Sequence, residues 1–87
     1  MNWNDELIKS ASQGNLEKVK ECLANGVSAN VGNGWALRNA SQNGYFEIVK
    51  YLVENGANVN AEGKYCGTAI ELAKNDGIRA FLEKNKN

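Results

Sequence analysis

Histidine and proline are both absent from the 87 residues, and cysteine and methionine are scarce, at two and one. Without histidine there can be no Ser–His–Asp triad and no zinc site built on imidazole. The two cysteines, Cys22 and Cys66, allow at most one disulfide, and neither stands in a metal-ligand spacing. No run approaches the ~20 apolar residues that a membrane span needs. The N-terminus, Met1-Asn2-Trp3-Asn4-Asp5-Glu6, is acidic and lacks an apolar segment, so no signal peptide is expected. These absences favour a reduced, cytoplasmic protein with no cofactor.

An excess of charge of one sign is missing too. Ten basic and ten acidic residues cancel, and the basic ones are scattered from Lys9 to Lys86 with acidic residues among them. A non-specific nucleic-acid binder needs a basic stripe to neutralise phosphates, and none is visible. A specific contact to nucleic acid stays open as a second reading, and a small enzyme as a third. The apolar fraction of 43% and charged fraction of 23% are ordinary for a folded chain. At this length there is one domain at most, spanning 1–87, and a single globular core would be marginal.

What the chain does contain is a repeat. Residues 14–30 and 44–60 align at an offset of thirty with seven of seventeen pairs identical, where residue frequencies predict roughly one. Leu16, Val19, Cys22 and Leu23 form an apolar helical stripe, and Phe46, Val49, Leu52 and Val53 repeat it. Asn25-Gly26 and Asn55-Gly56 stop those helices. Shorter helices rich in small residues precede them, and Gly14 and Gly44 mark the turns between. The pattern predicts six helices, near 5–13, 16–24, 36–42, 46–54, 69–75 and 78–84, in units of about 1–31, 32–61 and 62–87. Stacking would bury each stripe on its neighbour, which is how a small chain of this kind becomes stable.

The run from Ala40 to Ala61, Ala-Ser-Gln-Asn-Gly-Tyr-Phe-Glu-Ile-Val-Lys-Tyr-Leu-Val-Glu-Asn-Gly-Ala-Asn-Val-Asn-Ala, closely resembles the second half of the ankyrin repeat. Gly67-Thr68-Ala69-Ile70-Glu71-Leu72-Ala73 resembles its first half. The resemblance implies an all-α solenoid of helix-turn-helix units joined by short hairpin fingers. There are departures. Glu6, Ala36 and Ala69 stand where the family has proline, and Ile8, Arg38 and Glu71 where it has histidine. Asp5 and Thr68 can still cap their helices, whereas Trp35 cannot. The stretch from Asn30 to Leu37 is three residues shorter than that from Asn60 to Ile70, so the first finger is truncated. The last helix reads as a compressed, polar-ended cap.

No residue set suggests catalysis. Cys22 occupies a stripe position and reads as core, Asp5-Glu6 as a helix start, and Gly32-Asn33-Gly34 as a turn rather than a phosphate loop. The family resemblance implies instead that finger tips and first helices form a concave face that binds another protein. Carried over by position, that face includes Trp35, Arg38, Gln42, Asn43, Glu62, Lys64, Tyr65 and Asn75. Trp35, Tyr65 and Arg38 are the expected anchors, because such side chains dominate interface energetics. Against that, Trp35 could instead fold back into space left by the short finger. A stand-alone adaptor or a stoichiometric inhibitor, monomeric when alone, is the expected role.

Overall fold

The computed structural model describes residues 2–63 and 67–86. Six helices follow in order: α1 (Trp3–Gln13), α2 (Leu16–Ala24), α3 (Val31–Asn43), α4 (Phe46–Glu54), α5 (Ala69–Leu72) and α6 (Asp76–Lys84). No strand occurs among the described residues. The helices form three consecutive pairs. The first helices α1, α3 and α5 pack in series, and the second helices α2, α4 and α6 do the same.

The second helices begin and end where the stripe predicts. Asn15 caps α2 by accepting the Lys18 N–H at 3.1 Å, and the stop residues Asn25 and Asn55 each close a helix with their own backbone N–H. The first helices differ from expectation in detail. The cap of α1 is Asn2, not Asp5: its Oδ1 accepts the N–H groups of Asn4 at 3.0 Å and Asp5 at 3.3 Å. Asp5 thus lies inside the first turn, where a carboxylate complements the exposed N–H groups. Thr68 does cap α5, in a reciprocal capping box with Glu71.

The third unit corrects the expected boundaries. α6 is not compressed: it spans nine residues, as α2 and α4 do. Its buried Ile78 and Leu82 stand thirty residues after Ile48 and Leu52. The shortened helix is α5, with four residues. The larger cause is register: α5 begins three residues late, with Ile70 in the place of Leu37, while α6 keeps the thirty-residue spacing, and the turn removes one residue more. α1 and α3 end on left-handed glycines, Gly14 at φ 79° and Gly44 at φ 83°, whereas the same register position in the third unit is Lys74. A side chain makes that conformation costly. The chain leaves the helix one residue earlier instead, with Ala73 extended at φ −56°, ψ 127°.

A continuous core runs through all three pairs, and Leu7, Val19, Cys22, Leu37, Ile48, Val49, Leu52, Ile78 and Leu82 are almost wholly buried in it. Burial pushes the Cys22 thiol above its ordinary pKa, only partly opposed by the charge of Lys18, so it stays protonated and unreactive in place. Side chains of one unit cover the turns of the one before. A Cβ on Gly14 would lie 2.8 Å from the Tyr45 ring, and one on Gly44 would lie 2.9 Å from the Lys74 stem. Tyr51 lies under the ammonium of Lys20 on α2, and Phe46 meets Phe81 on α6 edge-to-face at 5.5 Å.

The outer units differ from the middle one where it faces a neighbour. At the register of Ile48 and Tyr51 the first unit has Lys18 and Glu21, paired at 3.3 Å. At the register of Phe46 and Val49 the third has Asp76 and Arg79, paired at 3.1 Å. Trp3, half-buried against the core with the Lys18 ammonium 5.3 Å over its ring, lies against the first pair as a lid.

Leu52 sits at the centre of this arrangement, in the unit with packed neighbours on both sides. Leu52→Ala is therefore expected to cost about 2–5 kcal/mol, the usual range for a buried leucine. A urea titration measures it, and a midpoint unchanged from wild type would contradict the core assignment.

Candidate functional site

The finger between the first two units must return the chain to α3 with three residues fewer than its counterpart. Asn30 starts it and ties it to the next unit. Its Nδ2 donates to the Gly56 carbonyl at 2.9 Å, and its Oδ1 accepts the Asn58 N–H. The backbone then winds left-handed for three residues: Gly32 at φ 63°, Asn33 at φ 56° and Gly34 at φ 85°. The Gly34 N–H closes the turn on the Asn30 carbonyl at 3.1 Å. Only glycine adopts such angles freely, and asparagine is among the few other residues that tolerate them. Gly34 is required twice over, since a Cβ there would lie 2.8 Å from the Ala61 Cβ. Right-handed helix resumes after it, although α3 is counted from Val31 rather than from near 36.

Asn33 and Arg38 brace this turn. The Asn33 amide donates to the Glu62 carbonyl at 2.9 Å, joining the short finger to the next one. The Asn33 carbonyl accepts from Arg38 Nη1 at 2.6 Å. Arg38 is only 7% exposed, so the position that resemblance assigns to a contact residue is spent mainly on holding the finger. Trp35 does not fold into the gap, because the left-handed turn fills it. Trp35 is 52% exposed and lies over Gly32, which Ile8 of α1 also approaches. A Cβ on Gly32 would meet the Trp35 ring at 3.3 Å and Ile8 Cδ1 at 3.6 Å.

The other residues assigned to the face are spread along it. Gln42 and Asn43 are exposed at the far end of α3, and Asn43 Nδ2 donates to the Ser12 carbonyl of α1 at 3.3 Å. Glu62 is exposed beside the short finger. Asn75 caps α6, accepting the Ile78 N–H at 2.9 Å. Lys64 and Tyr65, with Cys66, lie outside the described residues. The structure thus gathers Trp35, Arg38 and Glu62 around one finger and leaves Gln42, Asn43 and Asn75 apart from them.

Two residues that the sequence reading did not assign belong to the gathered group. Ile8 reaches the same glycine, Gly32, that Trp35 lies over, and its signal was the replacement of the family histidine by an aliphatic side chain. Asn33 supplies the latch, and its signal was a lone asparagine between two glycines. Chemically the surface offers a half-exposed tryptophan, an aliphatic side chain at the same glycine and the Asn33 amide, with the exposed Glu62 beside them. That suits desolvating contact rather than proton transfer. Among the described residues, no group of three His, Cys, Asp or Glu could hold a metal ion, and no helix is long and apolar enough to cross a membrane.

If Asn33 is the latch, Asn33→Ala loses both the left-handed tolerance and the bond to Glu62, and about 1–3 kcal/mol of stability is expected to go. Asn33→Gly keeps the backbone freedom and loses only the bond, at about 0.5–1.5 kcal/mol. Thermal melts of the three proteins test the order wild type, Gly, Ala.

Comparison with known proteins agrees with this geometry. A family model of ankyrin repeats, in three copies, matches residues 4–63. An ankyrin repeat protein of Acanthamoeba polyphaga mimivirus is 43% identical over 47 residues, which cover 54% of this chain and 35% of that protein. The chain therefore takes in well under two thirds of that relative's length. Stacked pairs at a thirty-residue register, turn glycines, linked fingers and the match over most of the sequence lead to one conclusion: the chain belongs to the ankyrin-repeat family.

Proposed function

We propose that this chain binds a partner protein through the concave face of its first helices and fingers, with Trp35 as the principal anchor. Ankyrin repeats are generally protein–protein interaction modules, and one observation carries the finer reading. Trp35 and Phe46 are the two exposed large hydrophobic side chains among the described residues. Phe46 is already engaged by Phe81, whereas Trp35 is half open to solvent and sits on a braced backbone. A large, rigid side chain presented this way gives interface area at low entropic cost. Gln42 and Asn43 extend the face along α3, Glu62 and Asn75 border it, and Lys64 and Tyr65 are assigned to it by sequence position. Arg38 contributes by fixing the finger that carries Trp35. In this reading the chain is one three-unit domain, acts as a cytoplasmic monomer, and masks one partner as an inhibitor or joins a complex as an adaptor.

Affinity capture from the native host with mass spectrometry would identify the partner, and calorimetry would then measure the contact. Trp35→Ala is expected to weaken binding by about 1–4 kcal/mol, the range of an interface anchor, with little change in melting because about half of the residue is already in water. Lys20→Ala on the second-helix layer is expected to leave affinity unchanged. The reverse pattern, with Lys20→Ala abolishing binding and Trp35→Ala leaving it intact, would move the function to the second helices.

A further inference from the structure

Asparagine followed by glycine is chemically the most labile asparagine step in neutral water. The glycine nitrogen attacks the side-chain carbonyl carbon, and a C–N bond closes a five-membered imide. The bond from that carbon to Nδ2 breaks, and ammonia leaves with the proton taken from the glycine N–H through solvent. Water then opens the ring to aspartate or isoaspartate, so one water is consumed and one ammonia released. No metal, oxidant or enzyme is needed. The reaction does need a free glycine nitrogen and a side-chain amide able to turn towards it.

This short chain contains four such steps: Asn25-Gly26, Asn33-Gly34, Asn43-Gly44 and Asn55-Gly56. In all four, both reacting groups are tied. The amides of Asn25 and Asn55 each donate to the carbonyl four residues earlier, on Glu21 and Tyr51, at 2.8 Å. The following glycines donate to Leu23 and Val53 at 3.1 Å. The amides of Asn33 and Asn43 reach across to other units, on Glu62 at 2.9 Å and Ser12 at 3.3 Å. Gly34 and Gly44 donate to the carbonyls of Asn30 at 3.1 Å and Ser41 at 3.3 Å.

We propose that the fold holds all four steps closed, so that they become deamidation sites only through opened states of the stack. The consequences differ by site. An aspartate at 33 or 43 cannot donate to the Glu62 or Ser12 carbonyl and instead sets a negative oxygen against it. Isoaspartate at 33 also adds a backbone atom to the three-residue left-handed turn of the short finger. Damage at either position removes a link between units and favours further opening, which exposes the remaining steps. The chemical lifetime of the domain is in this way tied to its conformational stability.

The test compares the whole domain with four short synthetic peptides, each spanning one step, in the same neutral buffer. Peptide mapping by mass spectrometry follows aspartate and isoaspartate at each position over days. In the folded domain each step is expected to react at least about tenfold more slowly than its peptide, because reaction then follows the small open population. In urea sufficient to unfold the domain, with peptides in the same urea, the difference should vanish. A peptide-like rate at any of the four in the folded domain overturns the proposal for the set. Slow reaction that persists in the unfolded chain overturns it as well, since local sequence would then be the cause.

Discussion

No helix pair of this chain can bury its own apolar stripe, and this need for a neighbour governs the rest of the structure. The second helices are nine residues long, too short to be stable in water by propensity alone. Their burial comes from the next pair. The middle unit carries most of this load. Leu37, Ile48, Val49 and Leu52 are all nearly inaccessible there, and loss of either neighbour would return part of that surface to water. Contacts between units are therefore as important as contacts within them. The polar links at the fingers, Asn30 to the loop at 56–58 and Asn33 to Glu62, keep the register in which the stripes meet.

How much of this was legible from the sequence depended on whether the cause was local. The bounds of α2 and α4 follow from a stripe and an Asn-Gly stop a few residues apart, and both were readable to the residue. The start of α1 was not, because Asn2 and Asp5 are both competent caps and only packing decides between them. The end of α5 turns on an absence: Lys74 stands where a glycine would allow the usual turn. That was visible only by counting thirty from Gly44. The shortage of three residues in the first finger was countable, but its resolution by a left-handed turn depends on contacts with Ala61, Arg38 and Glu62, which come from other parts of the chain. For the same reason the exposure of Trp35 and the burial of Arg38 could not be separated in advance. In the sequence Arg38 read as a contact residue, and Trp35 stood open between a contact residue and a filler of the short finger.

Tyr45 shows how stacking overrides local preference. Its register mates Asn15 and Asn75 both cap their helices with side-chain oxygens, whereas α4 starts without a side-chain cap. A missing cap costs about 1 kcal/mol. The tyrosine ring instead covers Gly14 of the previous unit and packs against the core. The middle helix thus gives up a hydrogen bond at its own end for apolar contact with its neighbour, a trade that makes sense only in a stack.

The same asymmetry bears on how such a chain can grow. The middle unit offers Tyr45, Ile48 and Tyr51 backwards and Phe46 and Val49 forwards, while its neighbours hold ion pairs at the equivalent outward positions. A tandem copy of the middle unit, inserted beside the original, would bring a second Tyr45 onto the turn at Gly44 and a second Ile48 onto an apolar surface already shaped for it. The duplicate's own loop would receive the side chain of Asn60, the register mate of Asn30. A copy of the first unit in that place would bring Lys18 and Glu21 against the same surface and leave the glycine uncovered. Gene duplication acting on this array would thus find one segment whose two sides fit each other, and that segment lies in the middle.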